Sequence, residues 1–324
     1  VFNVDNAAER TINVTLSGLT LTHGLTPLNG GVVRAERANL TVLSSVISNG
    51  VAHAGGGLSL SGGNTTIRFS SILGNRATGL WGGGISSSGF GGSPTLTLES
   101  STIAGNSSVS FGGGIYVEEN REVEIVNSTI SGNAATYFGG GISYDLGALP
   151  DGGPTGNSLH VRHTTIASNT AADCSNFCGG GWDLAEVDHS IIADGSAITE
   201  GAAFQASYSL IEESSFVVGD HNLIGVDPIL GPLADNGGPT LTHALLPGSP
   251  AIDAGNPAIP DPPPTDQRGF ARIYGPTIDL GAVETQPLDV VAVPTLSQIG
   301  TLLLSALLVA AGMWRLRLGA LKNG

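Results

Sequence analysis

The sequence predicts an all-β chain: a right-handed parallel β-helix, ended by an irregular C-terminal cap and followed by one transmembrane helix. Three observations predict it. A Ser/Thr-rich segment recurs together with a glycine triplet, apolar and polar residues alternate with period two inside each repeat, and a long uncharged apolar run lies near the C-terminus. Repeats of this size stack as a solenoid, each unit burying its apolar edge against its neighbours.

Taken in chain order, the recurring segments are SSVISNG around 45–50, SSILGN at 70–75, SSTIAGN at 100–106, NSTISGN at 127–133, HTTIASN at 163–169 and HSIIADG at 189–195. Three places after the apolar anchor stand Asn49, Asn75, Asn106, Asn133 and Asn169, then Asp194. Glycine triplets follow at 55–57, 82–84, 112–114, 139–141 and 179–181, with steps of 27, 30, 27 and 40 residues. Their middle members are Gly56, Gly83, Gly113, Gly140 and Gly180. Within a unit, Leu96, Leu98 and Ile103 recur as Val123, Ile125 and Ile130 and as Leu159, Val161 and Ile166. Period two with β-branched residues reads as strand, so a unit holds about three short strands and stacks at about 4.8 Å on the next. A parallel crossover of this kind is right-handed.

The ladder residues read as structural. Glycine supplies positive φ and close approach at a crowded corner, while stacked Asn amides pass hydrogen bonds from coil to coil. Trp81, Phe111 and Phe138, each just before a triplet, are expected to stack. Cys174 and Cys178, in CSNFC, read as a local disulfide clipping a loop of an exported protein, since no second Cys/His pair lies nearby for zinc. No cofactor or metal is implied.

Composition excludes one class of partner. The formal net charge is −15 with a single lysine, Lys322, against the clustered cations that nucleic acid requires. The chain opens on Val1 inside an apparent strand, and the expectation is that a secretion signal and N-terminal cap precede it. Catalytic chemistry finds little support. Glu118, Glu119, Glu122 and Glu124 read as outward charge beside a turn, and Asp183 and Asp188 with His189 form the best catalytic candidate. No G-x-S-x-G elbow, P-loop or H-E-x-x-H motif occurs.

Four segments are expected: coils over 1–203, terminal coils and cap over 204–285, a linker over 286–293, and a tail over 294–324. From about 204 the texture becomes Pro- and Gly-punctuated, with DNGGPT at 235–240, PGSPAIDAG at 247–255, DQRG at 266–269 and DLGAVE at 279–284. This stretch resembles the choice-of-anchor Q domain found at the C-terminal end of bacterial surface β-helix proteins, and its prolines and irregular loops are expected to end the stack by blunting the edge strand. Asp253, Asp266, Arg268, Arg272 and Asp279 are expected to fix that cap through turn hydrogen bonds and ion pairs. The upstream repeats resemble those of polymorphic outer-membrane proteins and pectate-lyase-like chains.

Leu296 to Trp314 is 19 residues without a charge, nearly enough helix to cross the hydrocarbon core, and Arg315 and Arg317 follow as a membrane stop. With Val293, Pro294, Thr295 and Leu296 before it, the tail resembles an IPTL-CTERM sorting signal. That resemblance implies an exosortase-type sorting enzyme as partner, cleavage near Pro294, and an inner-membrane helix that anchors the exported chain before transfer to the cell surface. The expected function is non-enzymatic: a secreted, adhesive, glycan-binding or structural envelope protein. The rival expectation is a polysaccharide lyase or glycoside hydrolase using the β-helix groove, and a third is a passive spacer.

Overall fold

A computed structural model describes residues 1–5, 12–88, 94–118, 122–145, 158–179, 184–195, 203–213, 217–259 and 262–286. Gly180, Asp183, Glu119 and the whole tail, including Val293 to Leu296, Arg315 and Arg317, lie outside the described residues. No helix among the described residues is long and apolar enough to cross a membrane. The expected span over 296–314 is not among them.

The chain winds into a right-handed solenoid of parallel strands, and one coil serves to define it. Leu58–Ser61 lies in sheet I, Thr65–Arg68 in sheet II, Ser71–Leu73 in sheet III and Arg76–Ala77 in sheet IV. The next coil restarts at Ile85–Ser88, paired in register with Leu58–Ser61. Among the described residues the four sheets hold seven, eight, nine and four strands. The expectation of three strands per coil thus misses a fourth, two residues long. It forms because the residues after the Asn corner bond across coils, as Arg76 N does to Gly50 O at 2.8 Å and Thr78 N to Ala52 O at 2.7 Å.

Register places like on like. Ile47, Ile72, Ile103, Ile130, Ile166 and Ile192 form one interior column, each at most 1 % exposed. Val42, Ile67, Leu98, Ile125, Val161 and Val187 form another from sheet II. Burying each such side chain stabilises the fold by about 1.5–3 kcal/mol before conformational entropy is set against it.

The corner between sheets II and III is a column of left-handed residues that begins with Gly18 and continues in residues other than glycine. Ser44, Phe69, Ser100, Asn127, His163, His189, Tyr208 and His221 have φ between 45° and 61°. Each such residue costs about 1–2 kcal/mol. A buried hydroxyl ladder on the following residue offsets this: Ser70 N donates to Ser101 Oγ at 3.1 Å, Ser101 N to Ser128 Oγ at 3.2 Å, and Thr164 N to Ser190 Oγ at 3.1 Å. Each hydroxyl in turn donates to the carbonyl two residues back, as Ser70 Oγ does to Arg68 O at 2.7 Å.

The C-terminal module does not end the stack. Residues 227–259 and 262–285 run back along the outer face of sheet III, and Val1–Thr285 forms one compact unit. The cause lies in the outward residues of that sheet. Thr102, Ala104, Thr129, Ser131, Thr165, Ala167, Ile191, Ala193 and Leu210 are small or apolar, and all are buried. Ala167, Ile191, Ala193 and Leu210 share a second core with Leu245, Ala251 and Leu280 of the module. Within the module, Leu230–Ala234 and Thr242–Leu245 pair antiparallel.

Candidate functional site

Sheet II presents its alternate residues to solvent, and three neighbouring strands build the site there. Ser158–Arg162, Leu184–Asp188 and Ala203–Ser207 lie side by side, so that His160 stands over Glu186 and Gln205 while Arg162 stands over Asp188 and Ser207. These six side chains line an open cavity of about 290 Å³. His160 Nδ1 and Glu186 Oε2 are 2.8 Å apart, and Arg162 Nη2 pairs with Glu124 Oε1 of the preceding coil. Half-exposed pairs of this kind contribute under about 1 kcal/mol each. They act instead to hold donors and acceptors in place. Glu124, Glu186 and Asp188 outnumber the one arginine, so the site is acidic.

The expected catalytic group does not converge on this cavity. Asp188 faces it, but His189 is buried at the left-handed corner, where its Nε2 accepts a hydrogen bond from Asn256 N at 3.1 Å. Its Nδ1 lies 3.1 Å from Asp188 Oδ2 without the alignment of a hydrogen bond. Asp183 lies outside the described residues. His160, Arg162 and Glu186 were not singled out in the sequence. The available signal was the H-x-R of one strand standing opposite the E-x-D of the next.

The Asn ladder joins Asn75, Asn106, Asn133 and Asn169, all at most 1 % exposed. Each Nδ2 donates to the next Oδ1 at 2.9 Å, and each also reaches an isoleucine carbonyl of the coil before, as Asn106 Nδ2 does to Ile72 O. Asn49 is not a member. It is exposed, and register pairs Ser48 with Leu73, so Gly50 occupies the ladder position and donates its N–H to Asn75 Oδ1. The anchor in that coil is Ile47 rather than Val46, which moves the count by one.

The glycines of a triplet have separate reasons. The first has φ near 61–63° in Gly55, Gly82, Gly112 and Gly139. The second, at Gly56, Gly83, Gly113 and Gly140, lies against backbone of the next coil, so that a Cβ on Gly113 would sit 2.5 Å from Gly140 O. The third leaves room for the ladder: a Cβ on Gly84 would sit 3.1 Å from the Asn106 amide carbon. Gly179, first of the triplet at 179–181, is out of this register. Gly179 pairs with Tyr144 in sheet I, and Ile142 pairs with Phe177, so the equivalents of 139–141 are Cys174, Ser175 and Asn176. Ser175, not Gly180, is therefore the counterpart of Gly140. Cys174 and Cys178 are disulfide-bonded with Cα atoms 5.1 Å apart, around Asn176. Asn176 extends the ladder from the opposite wall, accepting from Asn169 Nδ2 at 3.0 Å.

Phe111 and Phe138 stack with centroids 5.7 Å apart, and Tyr116 stacks on Trp81 at 6.0 Å. In the module, Asp266 takes the guanidinium of Arg268 at 2.7 Å and the N–H of Glu284 at 3.0 Å, while Asp279 accepts from Asp253 N at 2.7 Å. Gln267, not singled out in the sequence, ties the module to the solenoid through Thr102 and Thr129. Arg272 is buried against His163 Nδ1 at 3.1 Å, and burial lowers its pKa to about 10. Burial, then the Arg272 charge, pushes His163 far below the ordinary imidazole range, and burial lowers His243 as well. Burial raises Glu284 to about 7. Among the described residues no group of three or more His, Cys, Asp or Glu is placed to hold a metal ion.

Four parallel sheets, in-register interior columns and a polar outer face define a parallel β-helix protein. Residues 2–184 match the family model described as right handed beta helix region, and the chain belongs to that family. No curated protein and no solved structure matches the chain.

Proposed function

We propose that this chain is an exported, cell-surface β-helix protein that binds glycans through the outer face of sheet II and catalyses no reaction. Its role is adhesion or envelope structure. The observation that carries this reading is the cavity over His160, Arg162, Glu186 and Gln205. His160 and Arg162 are each held by a carboxylate, a set of fixed donors and acceptors suited to sugar hydroxyls. The sequence motifs at 235–284 support a choice-of-anchor Q module, and Val293–Leu296 with the apolar run and Arg315 and Arg317 support an IPTL-CTERM tail. On this reading an exosortase-type enzyme cuts near Pro294, and the helix over 296–314 is an inner-membrane anchor until then.

Glycan-array binding by the native chain, lost in a His160→Ala/Glu186→Ala variant of unchanged melting temperature, is the expected result. Equal binding by that variant would remove the cavity from the account. Mass spectrometry of surface material should find a C-terminus near Pro294; an intact tail there would discard sorting by cleavage. One observation favours the rival, a polysaccharide hydrolase or lyase: Glu186 and Asp188 put two carboxylates on one face of one strand, about 7 Å apart at Cα. Depolymerisation that is lost on Glu186→Gln or Asp188→Asn would establish that reading instead.

A further inference from the structure

We propose that a file of threonines on sheet II is the extended track of this glycan site, and that its ligand is an uncharged linear polysaccharide lying along the solenoid axis. The inference rests on the cavity being a glycan site and names the ligand class.

Thr15, Thr41, Thr66 and Thr97 stand in register on four successive coils. The same file continues as Glu124, His160, Glu186 and Gln205. The threonines therefore lead, one coil at a time, into the cavity. Seven steps of about 4.8 Å make a track of roughly 34 Å.

The hydroxyls are available. Among the described residues none of these four threonine hydroxyls has a hydrogen-bond partner in the protein, whereas the serine hydroxyls at the adjoining corner are bonded. The neighbouring file, Asn13, Asn39, Asn64 and Thr95, is occupied with itself. Asn39 Nδ2 donates to Asn13 Oδ1 at 2.8 Å, Asn64 N to Asn39 Oδ1 at 2.8 Å, and Thr95 N to Asn64 Oδ1 at 3.0 Å. One file stiffens the sheet and the other offers its donors and acceptors outward. A single available file suits a chain; a crystal face such as ice would require both.

Charge selects the class. The eight side chains of the two files are neutral, and in the third outward file Arg68 and Glu99 neutralise each other at 2.8 Å, in a protein of net charge −15. A polyanion gains nothing from them and meets Glu124, Glu186 and Asp188 at the far end. A neutral polyol pairs with the hydroxyls and lays its apolar ring faces on the threonine methyls.

Affinity electrophoresis of the full chain in mild detergent, through gels containing xyloglucan, galactomannan or polygalacturonate, tests the proposal. Retardation is expected from a neutral polymer and not from polygalacturonate. Thr41→Val/Thr66→Val/Thr97→Val, which keeps shape and strand preference, should weaken binding by about tenfold or more at unchanged melting temperature. Retardation abolished by Glu186→Gln but untouched by the threonine variant would overturn the track and leave the cavity standing. Retardation by polygalacturonate alone would overturn the ligand class. Inhibition of ice recrystallisation without retardation by any polymer would overturn both readings.

Discussion

Asn106 makes its bonds in two directions, as Asn133 does one coil on. Its Oδ1 accepts from Asn75 N and Nδ2, while its Nδ2 reaches Asn133 Oδ1 and Ile72 O. Asn106→Ala should destabilise the fold by about 3 kcal/mol or more, because several buried groups lose partners together. Asn49→Ala, outside the ladder, should cost about 1 kcal/mol, from its left-handed backbone at φ 53° and not from lost buried bonds, and denaturant midpoints compare the two. A second residue-scale test comes from an exchange at the ladder's end. Where later coils pair a third glycine with Asn, this coil pairs Val32 with Gly50, and a Cβ on Gly50 would sit 2.1 Å from Gly56 O and 2.5 Å from Val32 Cγ2. Gly50→Asn alone should destabilise, and Val32→Gly added to it should recover only part of the loss, because the Gly56 carbonyl stays in place. The sequence disclosed the identity of the ladder residues but not this exchange. Counting from an apolar anchor cannot tell Val46 from Ile47, and only register decides which one faces inward.

At the scale of the element, the module on sheet III is held through buried histidines. His163 Nδ1 accepts from Arg272 Nη2, and His189 Nε2 accepts from Asn256 N. His243 donates Nδ1–H to Gly231 O at 2.7 Å and accepts from Ser131 Oγ. The folded pKa of His163 and His243 lies below the unfolded 6.5, so the unfolded chain binds the extra protons. Their contribution is therefore present above about 6.5 and lost as pH falls. Glu284 works oppositely: with its pKa raised to about 7, it favours the folded state below 4.5 and loses that advantage as pH rises toward 7. Between 4.5 and 6.5 Glu284 opposes two histidines, and below 4.5, where Glu284 is protonated in both states, it no longer offsets them. Denaturant midpoints should fall on acidification from pH 6.5 to 4, at up to about 1.4 kcal/mol per pH unit for each uncompensated proton. His163→Asn should flatten that fall. Asn tolerates the left-handed backbone, and Asn127 already occupies the equivalent corner one coil earlier. The lateral docking was hidden in the sequence because an outward Thr-Ile-Ala or Thr-Ile-Ser strand looks the same beneath a module as beneath water. Composition alone cannot reveal that both its faces are buried.

For the whole molecule, the repeat made the solenoid legible, while its irregularities misled. The 40-residue step counted Gly179, which lies in sheet I, and the true counterpart of Gly139 is Cys174, which shares its positive φ. The functional face was the least legible part, since His160, Arg162, Glu186 and Asp188 meet through register across strands separated by long insertions. Everything rests on neighbouring coils lying in register along sheet II. Disulfide trapping measures that directly, because bridged Cα atoms must lie within about 7 Å and a register-paired strand neighbour lies about 4.8 Å away, whereas its diagonal lies about 8 Å away. Thr41 pairs with Thr66 and not with Arg68. Thr41→Cys/Thr66→Cys should oxidise readily to an intramolecular bridge and Thr41→Cys/Arg68→Cys should not; bridging by the second pair in place of the first would contradict the stacked coils and the track built on them.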